Sequence, residues 1–223
     1  MRKKLKIFVI IPAFNEQKYI DRVITKVKKY TDNIIVIDDG SSDNTFEIAK
    51  KLSPHALRHD LNLGKGAAMK TGCEYAFEHL DADAVIFVDS DDQHDPKHIP
   101  EFIDKLSNGN DLVFGVRKFS KNMPRFKIFA NTFASLLIKW LFGKYIPDIP
   151  SGYKALSKKA YKKIQWNASD YGVELEIAVR TVKHKLPYTI VNIDTIYHDY
   201  DRGFTAIDAI KIAAKLVEWR ISL

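Results

Sequence analysis

The first 117 residues alternate short β-branched runs with longer amphipathic stretches, and in each unit the strand comes first. A chain patterned this way builds a mostly parallel sheet covered by helices. The spacing predicts strands over Lys6 to Ile11, Asn33 to Ile37, Ala56 to His59, Ala84 to Val88 and Asp111 to Val116. Helices are predicted between them over Gln17 to Tyr30, Ser42 to Leu52, Gly64 to His79 and Pro96 to Leu106. Ser and Asp open the second of these, and a proline opens the last. Ligands of open parallel sheets bind beyond the carboxyl ends of the strands, so the loops that follow each strand are where functional side chains are expected.

The second half reads differently. A basic amphipathic helix is predicted over Pro124 to Phe142, then a loop over Tyr145 to Tyr153 and a short helix over Lys158 to Ile164. A helix over Gly172 to His184, a strand over Tyr188 to Ile196 and a helix over Ala206 to Ile221 complete the chain. No linker separates the halves, so residues 1–223 are expected to form one domain, with 1–117 and 118–223 as its two sides. With 223 residues such a domain buries a substantial core. The lone Cys73 excludes an internal disulfide framework and a thiolate zinc site, and suggests a reducing compartment. A formal charge of +7 calls for an anionic partner. The basic residues are dispersed and carry no DNA or RNA signature, so nucleic acid is the weaker choice. The apolar run Ile7 to Ile11 stops at Pro12 without a cleavage site and reads as a buried strand rather than a signal peptide. No stretch reaches the roughly 20 apolar residues of a membrane-spanning helix.

Three loops carry chemistry. After the strand Ala84 to Val88 comes Asp89-Ser90-Asp91-Asp92-Gln93-His94-Asp95-Pro96, which places several oxygen ligands at a strand end. Hard cations such as magnesium and manganese take such ligands and share their shell with a substrate diphosphate. The competing reading is a solvated turn capped by Asp95 ahead of Pro96. After the second strand comes Asp38-Asp39-Gly40-Ser41-Ser42-Asp43, where Gly40 suits a turn and Ser41, Ser42 or Asp43 can cap the next helix. The cap does not require the carboxylate pair, and a carboxylate at a strand end can bind a nucleobase or ribose. Third, Asn62-Leu63-Gly64-Lys65-Gly66 opens a helix, where backbone amides, the helix dipole and a lysine favour an anion. It lacks the full phosphate loop of a nucleoside triphosphatase.

In order and spacing, these loops together with Ile11-Pro12-Ala13-Phe14-Asn15-Glu16 resemble the family 2 glycosyltransferases of GT-A fold. The chain looks most like the branch of dolichyl-phosphate mannose and glucose synthases, through Phe114-Gly115-Val116-Arg117 and Ser151-Gly152-Tyr153-Lys154. The resemblance implies an α/β fold with a mostly parallel central sheet, and an inverting transfer of hexose from a nucleoside-diphosphate sugar to a polyprenyl phosphate. It implies that Pro12, Ala13, Phe14, Glu16, Asp39, Lys65 and Asp89 line the nucleotide pocket. Asp89, Asp91 and Gln93 would hold Mg2+ or Mn2+, and Arg117 and Arg202 would face phosphates. An ionised lipid phosphate needs no strong general base, whereas a sugar hydroxyl does. Glu174 and Glu176 are the candidates, with Glu174 preferred for its place at a helix start.

The apolar positions Phe126, Phe129, Phe133, Leu136, Leu137, Trp140 and Leu141 recur at helical spacing beside Arg125, Lys127, Lys139 and Lys144. The last helix repeats the theme with Ile207, Ile210, Ala214, Val217 and Ile221 beside Lys211, Lys215 and Arg220. Such helices either pack as core or lie in a membrane interface. With a polyprenyl-phosphate acceptor they imply a peripheral protein on the cytoplasmic face of an anionic membrane. Transfer to a soluble or polysaccharide acceptor, and a sugar-nucleotide binding module without turnover, are the rival readings.

Overall fold

The computed structural model describes residues 4–117, 125–170, 172–194 and 206–222. Seven strands form one sheet: β1 (Ile7–Ala13), β2 (Ile34–Asp38), β3 (His55–Arg58), β4 (Ala84–Phe87), β5 (Leu112–Arg117), β6 (Lys154–Ser157) and β7 (Thr189–Ile193). Their spatial order is β3-β2-β1-β4-β6-β5-β7. The helices are α1 (Ile20–Lys28), α2 (Thr45–Leu52), α3 (Lys65–Glu74), α4 (Ile99–Ser107), α5 (Arg125–Phe142), α6 (Lys158–Ile164), α7 (Val173–Lys183) and α8 (Ala206–Ser222). Both halves of the chain contribute strands to the same sheet.

The central strands are apolar on both sides because helices cover both faces. Phe8, Ile10, Ile35, Ile37, Val85 and Phe87 point into a core shared with α3, α5, α6 and α7. Their neighbours Val9, Ile11, Ile34, Val36 and Ile86 point to the opposite core, with α1 and α4. This is the two-residue period of a strand read on a sheet buried twice.

The chain steps outward from β1 to β2 and β3, then returns to place β4 on the other side of β1. Strands β2, β1 and β4 run parallel, with Ala13 beside Asp38 and Ile10 beside Phe87. Their carboxyl ends therefore open at one edge, and the crevice between β1 and β4 is the topological switch point where such folds bind ligands.

The sequence-predicted elements are found within a few residues, with four differences. Strand β6 lies antiparallel between β4 and β5, in a stretch whose four residues start on a lysine and show no clear period. The segment predicted as one helix over Gly64 to His79 is α3 followed by a wider π turn, Tyr75–His79. Helix α1 starts at Ile20 and α2 at Thr45, later than predicted, because residues 15–17 and 41–45 are occupied with each other. Cys73 is on the buried side of α3, where burial pushes its thiol pKa well up and leaves it unreactive. Arg202 and the end of the strand predicted to Ile196 lie outside the described residues, as do the side chains of Arg125, Phe126, Lys127, Phe129, Ile207, Ile210 and Lys211.

Candidate active site

Two loops interlock to form one wall. The Asn15 amide donates to Ser41 Oγ at 2.9 Å and the Glu16 amide to Thr45 Oγ1 at 2.8 Å. In return, the Ser42 amide donates to Asn15 Oδ1 at 2.9 Å and the Asn44 amide to Gln17 Oε1 at 3.2 Å. The serines read as helix caps, together with Thr45, thus fasten the loop after β1 to the loop after β2. Asp38 is fully buried and lies 3.2 Å from the Arg58 guanidinium.

Asp39 anchors the third loop. Its Oδ1 accepts from the Leu63 amide at 2.9 Å and Oδ2 from the Gly64 amide at 2.7 Å, while His59 Nδ1 lies 2.8 Å from Oδ1. The amides at the start of α3 are engaged too. Gly66 and Ala67 donate to the Ser169 carbonyl at 2.6 and 3.2 Å, and Trp166 Nε1 donates to the Gly66 carbonyl at 2.9 Å. A Cβ on Gly66 would overlap the Ala168 carbonyl, so glycine is needed for this close approach. This corrects the expectation that the helix start cradles an anion with its amides. Those amides cap onto the polypeptide itself, and the group left facing the cleft is the Lys65 side chain.

A cleft of about 430 Å³ opens at the switch point. Pro12 and Ala13 line it from the end of β1, Phe14 and Glu16 from the loop after it, Asp39 from just past β2, Lys65 from α3, and Asp89 and Asp91 from the loop after β4. All seven residues expected to contact nucleotide therefore meet in one cavity, together with Asp91. Asn62, from the third loop, joins them, as does Asp170, which no motif of the sequence marks.

The acidic loop is strongly polarised. The Lys65 ammonium lies 2.7 Å from Asp89 Oδ1, and His94 Nδ1 lies 3.4 Å from Oδ2. Burial opposes ionisation of Asp89, but the charge of Lys65 outweighs it and holds the carboxyl well below the usual range. Burial also keeps the His94 ring neutral, with its pKa lowered to about 4. That ring leans on Tyr153 at 5.4 Å, and Tyr153 stacks on Phe102 at 4.5 Å. Asp91 accepts from the Gln93 amide at 3.0 Å. Burial, then the charge of Asp89, pushes its pKa up to about 6. Glu16 is raised to about 7 by burial and by Asp91, Asp43 and Asp89. Asp92 turns away in the left-handed region, with φ of 60°, and is held by Lys26 at 2.7 Å and Arg22 at 3.4 Å. It ties the loop to α1 and is not among the residues lining the cleft.

Asp91 and Glu16, whose ionisation the neighbouring carboxylates penalise, make a site that favours an added cation. The ammonium already against Asp89 is such a cation, and the oxygen donors suit Mg2+ or Mn2+. Asp89 and Asp91 thus have the donor chemistry to hold a divalent ion, although among the described residues no group of three or more His, Cys, Asp or Glu side chains is gathered around one point. Gln93 meets Asp91 through its backbone and is not among the residues lining the cleft.

Two other candidates stand away from the cavity lining. Arg117, at the end of β5, is clasped by Asp148: Nη2 donates at 2.6 Å, Nε at 2.9 Å and the backbone amide at 2.7 Å. Glu174 is buried at the start of α7, and its Oε1 lies 2.7 Å from the Lys65 ammonium. Glu176 is engaged structurally, accepting from the Asn167 and Ala168 amides at 3.0 and 2.7 Å and from Arg180 Nε at 2.6 Å. It thereby shapes the 167–169 turn that caps α3. Replacing the buried Glu176 by Ala strands a part-buried guanidinium and two amides, and is expected to lower unfolding free energy by about 3 kcal/mol, read from urea denaturation.

Comparison with known proteins agrees with this geometry. The family model for glycosyl transferase family 2 matches residues 8–165. The chain is 36% identical to a UDP-N-acetylglucosamine–dolichyl-phosphate N-acetylglucosaminyltransferase of Methanococcus voltae, over 95% of this chain and 94% of that protein. It is 28% identical to a dolichyl-phosphate hexose transferase of Haloferax volcanii, over 90% of this chain and 86% of that protein. Among solved structures, glucosyl-3-phosphoglycerate synthase from Mycobacterium tuberculosis in complex with Mg2+ and uridine diphosphate superposes with a TM-score of 0.76 at 21% identity, covering 98% of this chain and 80% of that one. The fold is the expected GT-A fold. With most of its length matched by the family model and a relative above 30% identity along nearly all of it, the chain belongs to glycosyl transferase family 2.

Proposed function

We propose that this protein transfers a hexose or related sugar from a nucleoside-diphosphate sugar to a polyprenyl phosphate at a membrane surface, with inversion at the anomeric carbon. The observation that carries the reading is the cleft itself, where Asp89, Asp91 and Lys65 meet beside the wall of Pro12, Phe14 and Asp39. The relatives named for dolichyl-phosphate substrates support the acceptor.

In this reading the Pro12 to Phe14 wall and Asp39 hold the nucleoside, and Asp89 and Asp91 hold the divalent ion. A bound Mg2+ or Mn2+ supplies Lewis-acid stabilisation of the departing diphosphate. Lys65 adds a fixed positive charge on the same side, preorganised where negative charge develops. By the family resemblance Arg117 and Arg202 serve the phosphates, Arg117 from its seat on Asp148. A phosphate acceptor is ionised near neutral pH and attacks without a strong base. Glu174, lodged against Lys65, would take the proton only if the acceptor were a sugar hydroxyl.

The second half supplies the membrane side. Helices α5 and α8 pack together, yet Trp140 is 79% exposed and Ile221 83%, with Leu136 and Val217 exposed on the same pair. Arg220 lies over the Phe142 ring, and Lys215 over Trp219, so cations border the apolar surface. Among the described residues no helix is long and apolar enough to cross a membrane. A pair of helices with an apolar face and a basic rim suits the surface of an anionic bilayer.

The test is flotation with anionic vesicles carrying polyprenyl phosphate, followed by transfer from a panel of sugar nucleotides with Mn2+ or Mg2+. The protein is expected to float with the vesicles and glycosylate the lipid. The double variant Trp140→Asp, Ile221→Asp is expected to lose flotation by about tenfold or more, since each change puts a charge where an apolar side chain entered the interface. Absence of vesicle binding together with transfer to soluble sugars would overturn the acceptor assignment.

A further inference from the structure

Lys65 holds a position its motif does not explain. Its ammonium lies 2.7 Å from Asp89 Oδ1 and 2.7 Å from Glu174 Oε1, a cation lodged between two carboxylates from distant parts of the chain. The backbone around it is fixed. A Cβ on Gly64 or Gly66 would overlap the carbonyls of Ser169 and Ala168, and the Gly66 amide is tied to Ser169. Only the long side chain has room to change partners.

The divalent ion and this ammonium want the same carboxylate. Asp89 gives one oxygen to Lys65, and its other oxygen faces His94. Among the described residues no group of three or more His, Cys, Asp or Glu side chains is disposed to hold an ion. The polypeptide alone therefore offers a divalent ion a part-built shell, one of whose carboxylates is already countered.

We propose that Lys65 is the resident counter-cation of the cleft and makes divalent-ion binding conditional on the diphosphate. The ammonium neutralises Asp89 until a diphosphate arrives. The diphosphate then draws Lys65 onto its own oxygens, releases Asp89 and completes the ion's shell with phosphate oxygens. Glu174 acts as a positioning residue, keeping the ammonium at the cleft when Asp89 lets go. The inference rests on the sugar-nucleotide reading given above. Because the two bindings are thermodynamically linked, the ion strengthens nucleotide binding by the same factor that nucleotide strengthens ion binding.

The test measures Mn2+ binding from the paramagnetic resonance of the free ion, for the wild type and Lys65→Met, each with and without saturating UDP or GDP. In the wild type the nucleotide is expected to tighten Mn2+ binding by about tenfold or more, within the usual range of site-to-site coupling. In Lys65→Met, Mn2+ is expected to bind more tightly without nucleotide, because the competing charge is gone. The enhancement by nucleotide is expected to shrink correspondingly. Lys65→Gln repeats the measurement should the methionine variant fail to fold by circular dichroism. Nucleotide-free Mn2+ affinity in the folded variants at or below that of the wild type overturns the inference alone. A wild type that binds neither UDP nor GDP in the presence of Mn2+ overturns the sugar-nucleotide reading and this inference with it.

Discussion

Asp91→Asn is expected to lower sugar transfer by on the order of 10²- to 10³-fold, the scale seen when a preorganised group that meets developing charge is removed. The same substitution is expected to raise the melting temperature of the ligand-free protein in the presence of a chelator. Burial and the charge of Asp89 push the Asp91 carboxyl from 3.8 up to about 6. A carboxyl raised in the folded state contributes stability that is present below the unfolded pKa and lost as pH rises through the folded one. Above pH 6 the wild type therefore keeps an ionised carboxylate that the fold disfavours. Asparagine avoids that cost and retains an oxygen for the Gln93 amide. At about 1.4 kcal/mol per pKa unit, discounted for partial exposure, the gain is on the order of 1–2 kcal/mol, or a few degrees for a chain of this size. The difference between wild type and variant should be small near pH 4 and full above pH 6. Thermal melts across that range check the sign. Turnover equal to wild type, or a lower melting temperature at pH 7, would defeat the role assigned to Asp91.

This opposition of stability and activity fits what was legible in the sequence. Strand-first alternation located the parallel half, and polar runs after apolar strands located Asp39, Asp89 and Asp91, because both signals are local. What escaped depends on partners far along the chain. Strand β6 begins on Lys154, a residue type that argues against a buried strand. Its ammonium is satisfied by the carbonyls of Ile149 and Ser151 just before it, and burial lowers its pKa to about 8. The amides of Gly66 and Ala67 resembled an anion site until Ser169, a hundred residues later, took them. His59 showed no motif, yet it bridges Asp39 and Thr71 at 2.8 and 2.9 Å. Asp92 stood in the acidic run with no role of its own, and only the positions of Lys26 and Arg22 on α1 reveal it as a brace. Periodicity reports which face a residue occupies and is silent on which distant group it meets there.

Gly152→Ala should separate the site from the fold most sharply. Gly152 is buried and is not among the glycines with positive φ, so alanine can adopt its backbone conformation. Its Cβ, however, would overlap both carboxylate oxygens of Asp89 and sit 2.7 Å from Cγ. The obstructing atoms are the tip of a side chain that borders an open cleft, so Asp89 can swing aside. Alanine also restricts the unfolded chain, which favours folding by about 0.4–1 kcal/mol and offsets part of the lost contact with Lys65. Stability is therefore expected to change by no more than about 1 kcal/mol, since the strain is relieved into solvent space. Function has no such relief, because a displacement of about 1 Å at a positioned group can cost 10²-fold in rate. Gly109→Ala provides the converse: with φ of 89° and nothing within 4 Å of its Cβ, it strains the backbone at a point remote from the cleft. That variant should melt lower while keeping its turnover once folded. Full turnover in Gly152→Ala would show that the carboxylate of Asp89 need not stand where Lys65 now holds it.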